Sequence, residues 1–349
     1  MRISMHPKLI NDPFSDPGLF ILFLFQGKAV MFDLGDLSRL SPKDLLKVTH
    51  VFVTHTHMDH FIGFDALLRV SLGRSRRLHL FGPPDFHHHV EGKLAGYTWN
   101  LVHEYEAEFE LAVSEVHHEM IHTKTYFCRD RFQVRGSVSS RPFSGTLLEK
   151  PSFSVLARLL DHRIPCLGLS VVERFSVHIV KERLKALGLP VGAWLSRFKS
   201  ALYEGLHPDE EFVIQWEDKG KAVRERRFRL GDLTQRIAKI SPGQKLVYVT
   251  DVAGTADNLR QIISFAQGAD LLFIEAAFLD SEREMAQKKY HLTARQAGEI
   301  AGGAGVRQFR LFHFSPRYKG RSEELEKEAM EAYRQAAGQM GAASSREPR

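Results

Sequence analysis

The apolar strand around Val51–Val53 runs without a break into Thr54–His60, which reads THTHMDH, and few folds can carry that junction. In an extended segment, residues two apart project to the same side, so His55 and His57 can grip one ion. Asp59 and His60 follow once the chain has begun to turn and can face a second ion close by. Burying these side chains without partners would be costly, whereas imidazole and carboxylate are the donors that Zn²⁺ and similar ions prefer. Four donors do not complete two ions, so the fold must deliver others to the end of the same strand. His162 follows VLARLLD, Asp251 closes KLVYVT, and His313 lies in RLFHFS. Each stands at a strand end, and an aspartate there can bridge two ions with its two oxygens.

The rest of the chain sets these strand ends in an alternation of strands and helices. Leu19–Phe25 reads as a buried strand that turns at Gln26-Gly27-Lys28 into a second strand, Ala29–Phe32. Phe64–Leu72 reads as a helix, Arg77–Pro84 as a strand, and a further helix starts near Asp85. The rhythm breaks after Glu173. Residues 177–205 look helical and basic, with Lys181, Arg183, Lys185, Arg197 and Lys199, and 205–243 is polar and charged. Lys245–Asp251 resumes the β/α pattern. Ser281 with Glu284 and Thr293 with Gln296 have the spacing of capping boxes. The expectation is a layered α/β fold in one domain over residues 1–340, with a helical arm or insertion at about 177–243 and a disordered tail at 341–349.

Other histidines read as ordinary surface. His87, His88 and His89 look like a solvated helix face, and His117, His118, His122 and His178 are treated alike. Lys and Arg exceed Asp and Glu by 48 to 42, a net +6 that permits a polyanionic partner without requiring one. Two cysteines, Cys128 and Cys166, give no disulfide framework and point to a reducing cytoplasm. The first residues lack the shape of a signal peptide, and no apolar run is long enough to span a bilayer.

THTHMDH resembles the HxHxDH signature of the metallo-β-lactamase superfamily, and the chain as a whole is similar to the ribonuclease Z family, which cleaves the 3′ trailer from tRNA precursors. The similarity runs from about Val30 to Tyr318 and includes LDHRIPCLG, VTDVAGTADN and HFSPRY. IEAAFLDSE and KKYHLTARQAGEIA resemble the stretch in which a glutamate and a histidine handle protons, here Glu275 and His291. The resemblance implies an α/β metallo-β-lactamase fold, a four-layer αβ/βα sandwich of two mixed sheets. It implies two divalent ions, Zn²⁺ or else Mn²⁺ or Fe²⁺. One would be held by His55, His57, His162 and Asp251, the other by Asp59, His60, Asp251 and His313. A metal-activated hydroxide would attack phosphorus, with Asp59 orienting it and His291, tuned by Glu275, protonating the departing sugar oxygen. It also implies tRNA as partner and a homodimer.

The chain departs from the family in places. MHPKLINDPFSDPGLF replaces a Gly-rich start and a Pro-x-x-x-Arg loop, His-Glu-Ala-Thr becomes Ile274-Glu275-Ala276-Ala277, and the arm's Gly-Pro is Gly192-Ala193. Hydrolysis of a small phosphodiester such as a cyclic nucleotide, or of another ester, is the alternative on the same site. A non-catalytic RNA-binding protein is the third reading.

Overall fold

The computed structural model describes residues 5–218 and 221–344. They fall into two compact units. The larger comprises Met5–Leu147, Val155–Ser170 and the chain from Lys245 onward; the smaller comprises Leu148–Ser154 and Val171–Gln244.

The first sheet is built from Met5–Leu9 (β1), Leu19–Phe23 (β2), Lys28–Phe32 (β3), Val48–Phe52 (β4), Arg76–Gly82 (β5), Phe109–Val116 (β6), Met120–Phe127 (β7), Gln133–Val134 (β8) and Ser139–Pro142 (β9). Its strands lie in the order β1 to β8, with β9 also on β7. β3 to β6 are parallel neighbours, whereas β1, β2 and β7 pair antiparallel. β1 is a strand that the sequence did not advertise, because Pro7 interrupts it; a proline is tolerated there since β1 is an edge. The second sheet takes Thr146–Glu149 (β10), Phe153–Asp161 (β11) and Pro165–Glu173 (β12), then Lys245–Val249, Leu271–Glu275 and Phe309–Phe312, the last three parallel.

Alternation along the strands sorts side chains into layers. Val51 and Val53 pack with Phe64, Leu67, Phe86 and Val90 of the helices Phe64–Ser71 and Phe86–Ala95. From the opposite face, the Phe32 and Phe52 rings meet at 5.7 Å, and Phe32 reaches Tyr248 of the second sheet at 5.8 Å. Tyr248 in turn stacks on Phe312 at 5.0 Å. Behind the second sheet, Val247, Val249 and Ile274 pack on Ile262, Ala297 and Ile300 of helices Ala256–Ala266 and Ala294–Gly303. The order is helix, sheet, sheet, helix. Each fully buried aromatic of the inner layer contributes roughly 1.5–3 kcal/mol from burial.

The smaller unit holds Phe175–Ile179 (β13), Glu211–Asp218 (β14), Lys221–Arg229 (β15) and Ala238–Pro242 (β16), with helices Lys181–Ala186, Trp194–Glu204 and Leu230–Ile237. β13 pairs with β16 and β14 with β15. The helical reading of this interval therefore applies to only part of it. Its apolar centre is Leu184, Trp194, Phe198, Ile214, Leu233 and Ile237. Lys181, Arg183, Lys185 and Arg197 are exposed, but Lys199 is buried, and burial lowers its ammonium to about 8 while Glu173 opposes the shift. The basic face thus has four of the five expected cations.

The Thr293–Gln296 capping box forms, with reciprocal bonds of 3.2 and 3.0 Å. The box at Ser281 does not: Ser281 lies in a 3₁₀ turn, and the helix Arg283–Lys289 begins after Glu282 without a side-chain cap. The last helix runs on from Ser322 to Ser344, through the first residues of the expected tail, and 345–349 lie outside the described residues. Cys128 and Cys166 are both buried and free. Among the described residues, no helix is long and apolar enough to cross a membrane.

Candidate metal centre

Six strands of the larger unit end on one edge, and each delivers a polar residue there. Asp33 follows β3, Thr54 and His55 follow β4, and His162 follows β11. Asp251 follows Lys245–Val249, Glu275 ends Leu271–Glu275, and His313 follows Phe309–Phe312. His57 precedes the short helix Met58–Phe61, which carries Asp59 and His60. That turn brings His60 back to the strand end, its ring 4.2 Å from that of His55. A close approach holds it there: Gly63 donates its N–H to Leu34 O, and a Cβ on Gly63 would sit 2.2 Å from Gly35 O.

Three groups of donor atoms gather within 4.8 Å of one another: His55, His57, His162 and Asp251; Asp59, His60 and His313; and Asp251, Glu275, His291 and His313. Asp251 is the hinge of the arrangement. Its Oδ2 lies 3.4 Å from His55 Nε2, 3.3 Å from His60 Nε2 and 3.7 Å from His162 Nε2, and its Oδ1 lies 3.1 Å from His313 Nδ1. His313 Nε2 is 3.4 Å from Asp59 Oδ2. All of the sequence-expected ligands come together.

The tautomers are fixed from behind. His60 Nδ1 donates to Asp33 Oδ2 at 2.9 Å, and His162 Nδ1 donates to the Tyr290 carbonyl at 2.8 Å. His55 Nδ1 lies 3.1 Å from Thr54 Oγ1, a hydroxyl committed as a donor to Asp33 Oδ2. Each ring therefore keeps a proton on Nδ1 and turns Nε2 toward Asp251 as the atom that takes a cation. Two of these atoms, His55 Nε2 and His60 Nε2, are buried without a hydrogen bond, as is His313 Nδ1. Lone pairs facing a buried carboxylate repel unless a cation lies between them, so the residues present fit divalent ions.

The electrostatics say the same. Burial, the largest influence, pushes the His60 imidazole down, yet the Asp251 and Asp33 carboxylates raise it to about 10. Burial raises Asp251, but His313 and His60 hold it well below the usual carboxylate range. Asp59 is held at about 2: burial opposes this, and His313 and His60 outweigh it. These carboxylates demand positive charge. His55, His57 and His162, in contrast, are lowered mainly by burial, which favours the neutral form that binds metal.

Glu275 and His291 form a separate device. His291 Nδ1 donates to Glu275 Oε2 at 2.8 Å, and Glu275 Oε1 accepts from the Val252 N–H at 2.8 Å. Burial pulls His291 down, but Glu275 raises it, so the ring stays protonated above its ordinary range. The ring is partly open to solvent, whereas Glu275 is fully buried.

Asp33 was missed in the sequence. It is wholly buried and accepts from Thr54 N at 2.7 Å, Thr54 Oγ1 at 3.1 Å, His60 Nδ1 at 2.9 Å and Tyr248 Oη at 3.0 Å. The signal was available: it is a charged residue closing an apolar strand, as Asp251 is. Asp33, Asp251 and His313 all have positive φ, at 58°, 50° and 59°, an uncommon backbone for residues other than glycine. His87 corrects the solvated reading of its helix. It is buried, its Nε2 donates to Val113 O at 2.9 Å, and its N–H donates to Glu115 Oε2 at 3.1 Å. His88 and His89 are exposed, and His89 Nδ1 bonds Thr56 Oγ1 at 2.8 Å.

Residues 223–314 match a family model described as a beta-lactamase superfamily domain. Ribonuclease Z of Thermobifida fusca is 32% identical over 304 residues, covering 86% of this chain and 79% of that protein. The chain belongs to the ribonuclease Z family. Ribonuclease Z of Deinococcus radiodurans is 29% identical over 284 residues, 81% of this chain and 80% of that one. The metallo-β-lactamase fold protein YhfI from Bacillus subtilis matches with a TM-score of 0.55 at 16% identity, over 94% of this chain and 93% of that chain, a likeness that bears on the fold. The chain is thus a ribonuclease Z-like hydrolase of the metallo-β-lactamase fold, with two main mixed sheets and a candidate dinuclear His/Asp site.

Proposed function

We propose that this chain is a metal-dependent phosphodiesterase that cuts RNA, with 3′-end processing of tRNA precursors as its task. The observation that carries the reading is the meeting, where strands of both main sheets end, of the His/Asp ligand groups with a carboxylate-backed imidazole at 2.8 Å. Family membership supports the substrate class.

His55, His57, His162 and Asp251 would hold one cation, and Asp59, His60, Asp251 and His313 the other. When bound, such a pair supplies Lewis acidity toward phosphate oxygens and lowers the pKa of water. Asp59 is half exposed and ionised, so it can orient the attacking water and take its proton. Glu275 holds the Nδ1–H of His291 and so leaves Nε2 to give a proton to the departing sugar oxygen. Asp33 keeps His60 in the tautomer that coordinates. The smaller unit, with Lys181, Arg183, Lys185 and Arg197 exposed, would contact the phosphates of the tRNA body without reading bases.

The test is incubation of the purified protein with tRNA precursors and with a nitrophenyl phosphodiester, alongside elemental analysis. About two divalent ions per chain and endonucleolytic release of a 3′ trailer are expected. Cleavage of the small diester with none of tRNA would replace the RNA reading by that of a small-phosphodiester hydrolase. Absence of bound metal, with no gain on adding Zn²⁺ or Mn²⁺, would overturn both.

A further inference from the structure

A cleft of about 310 Å³ adjoins the metal edge, with Asp59, His291 and His313 among its lining residues. That size is at the low end of the ~300–1,000 Å³ range for small-ligand pockets. Its walls are unusually aromatic: Phe14, Phe278 and Phe314 all line it. Phe14 comes from the N-terminal segment MHPKLINDPFSDPGLF. That segment is not loose. Phe314 donates its N–H to Pro13 O at 2.7 Å, Asn11 Nδ2 donates to Asp16 O at 2.8 Å, and the Asp12 carboxylate accepts from the Phe14 N–H at 3.1 Å. The Phe14 and Phe314 rings meet edge to face at 5.3 Å, with an interplanar angle of 73°. Phe14 is only partly buried, so it is the aromatic surface of the cleft within reach of a guest. Lys289, also lining the cleft, is exposed and has no ion pair among the described residues.

From this juxtaposition we infer that the cleft is a nucleoside seat: Phe14 stacks on the base adjoining the scissile phosphate, and Lys289 pairs with that phosphate. The inference rests on the phosphodiesterase reading above. Since His291 lines the cleft, the seated nucleoside is the one whose sugar oxygen leaves. An apolar ester would have no use for the cation, and a bare phosphodiester would have no use for the aromatic wall. A base with its phosphate uses both, because every base offers a π face and a lysine serves phosphate as a point charge.

Calorimetric binding to the metal-loaded protein tests the seat independently of turnover. The probes are adenosine 3′-monophosphate, glycerol 2-phosphate, which keeps a secondary phosphate ester but has no base, and inorganic phosphate. Adenosine 3′-monophosphate should bind roughly tenfold tighter or more than glycerol 2-phosphate, the ratio expected from one stacked base. Phe14→Leu, which keeps an apolar filler against Phe314, should bring that ratio close to one, and Phe14→Trp should raise it. Lys289→Ala should weaken all three probes by a similar factor. Equal binding of the two esters by the unaltered protein, or a ratio that survives Phe14→Leu, would overturn the seat. A Lys289→Ala effect absent for inorganic phosphate would overturn the role of the lysine. Failure of the phosphodiesterase reading would appear separately, as no hydrolysis of tRNA or of the nitrophenyl diester.

Discussion

Replacing Asp33 by asparagine changes one atom of a side chain that touches no substrate, yet it should disable the metal centre. The Asp33 Oδ1 that accepts from Thr54 N survives as the amide oxygen. The other oxygen, which accepts from Thr54 Oγ1, His60 Nδ1 and Tyr248 Oη, becomes an NH₂. Both hydroxyls can rotate to accept from it. His60 Nδ1–H cannot. Either that buried donor goes unsatisfied, at about 1–3 kcal/mol, or the imidazole moves its proton to Nε2 and can no longer ligate. Loss of such an orienting partner typically weakens metal binding ~10–100-fold, or about 1.4–2.8 kcal/mol, which is the same range. Tyr248→Phe removes one donor and leaves the carboxylate three, so its effect should be no more than ~1.5 kcal/mol. Competition of each variant against a chromophoric chelator measures both. If Asp33→Asn bound two cations as tightly as the unaltered protein, the account of His60 held in one tautomer by Asp33 would be wrong.

His291→Ala should keep both cations and lower kcat on RNA by ~10²–10⁴-fold, with a smaller loss on a nitrophenyl diester whose leaving group needs little protonation. Equal losses on the two substrates would point to positioning instead. Glu275→Gln removes the charge that raises His291, so the ring loses its proton at lower pH, and because an acid must be protonated to act, the alkaline limb of the kcat/KM profile should move down in pH. An unmoved limb would sever Glu275 from the proton step. Reversing Lys181, Arg183, Lys185 and Arg197 should weaken RNA binding and flatten the plot of log affinity against log salt by ~0.7–0.9 for each phosphate that is no longer neutralised. Unchanged RNA affinity would leave these residues as solvated surface.

What was legible in the sequence was chemistry at strand ends. THTHMDH announces itself because no structural need explains so many donors together, and His162, Asp251 and His313 stand out where apolar runs stop. What was illegible needed partners from far along the chain. Asp33 is legible as a strand-end charge only once His60 and Tyr248 are known to converge on it, from positions 27 and 215 residues away. Lys199 looks like a surface cation on a helix, yet the helix Trp194–Glu204 turns it inward toward Glu173. In the hairpin of β14 and β15, Phe212, Ile214 and Trp216 do alternate along β14, but β15 places Arg226 and Arg224 opposite Ile214 and Trp216, so only one of the two strands carries the period-two signal. His87 was misread for a similar reason: its buried partners, Val113 and Glu115, come from β6.

The left-handed backbone at Asp33, Asp251 and His313 has a consequence for laboratory evolution. At such φ values glycine is comfortable and a residue with a Cβ is strained, at a cost on the order of 1–3 kcal/mol for each position. Glycine at Asp33 would relieve that strain only by stranding the Thr54 N–H, the His60 Nδ1–H and the Tyr248 hydroxyl, at about 1–3 kcal/mol each, so a screen for heat resistance would reject it there. At Asp33 the hydrogen bonds that the carboxylate accepts hold the strained backbone in place, so stability and the metal centre favour the same residue, and a library at Asp251 and His313 has to be selected for turnover as well as for heat resistance.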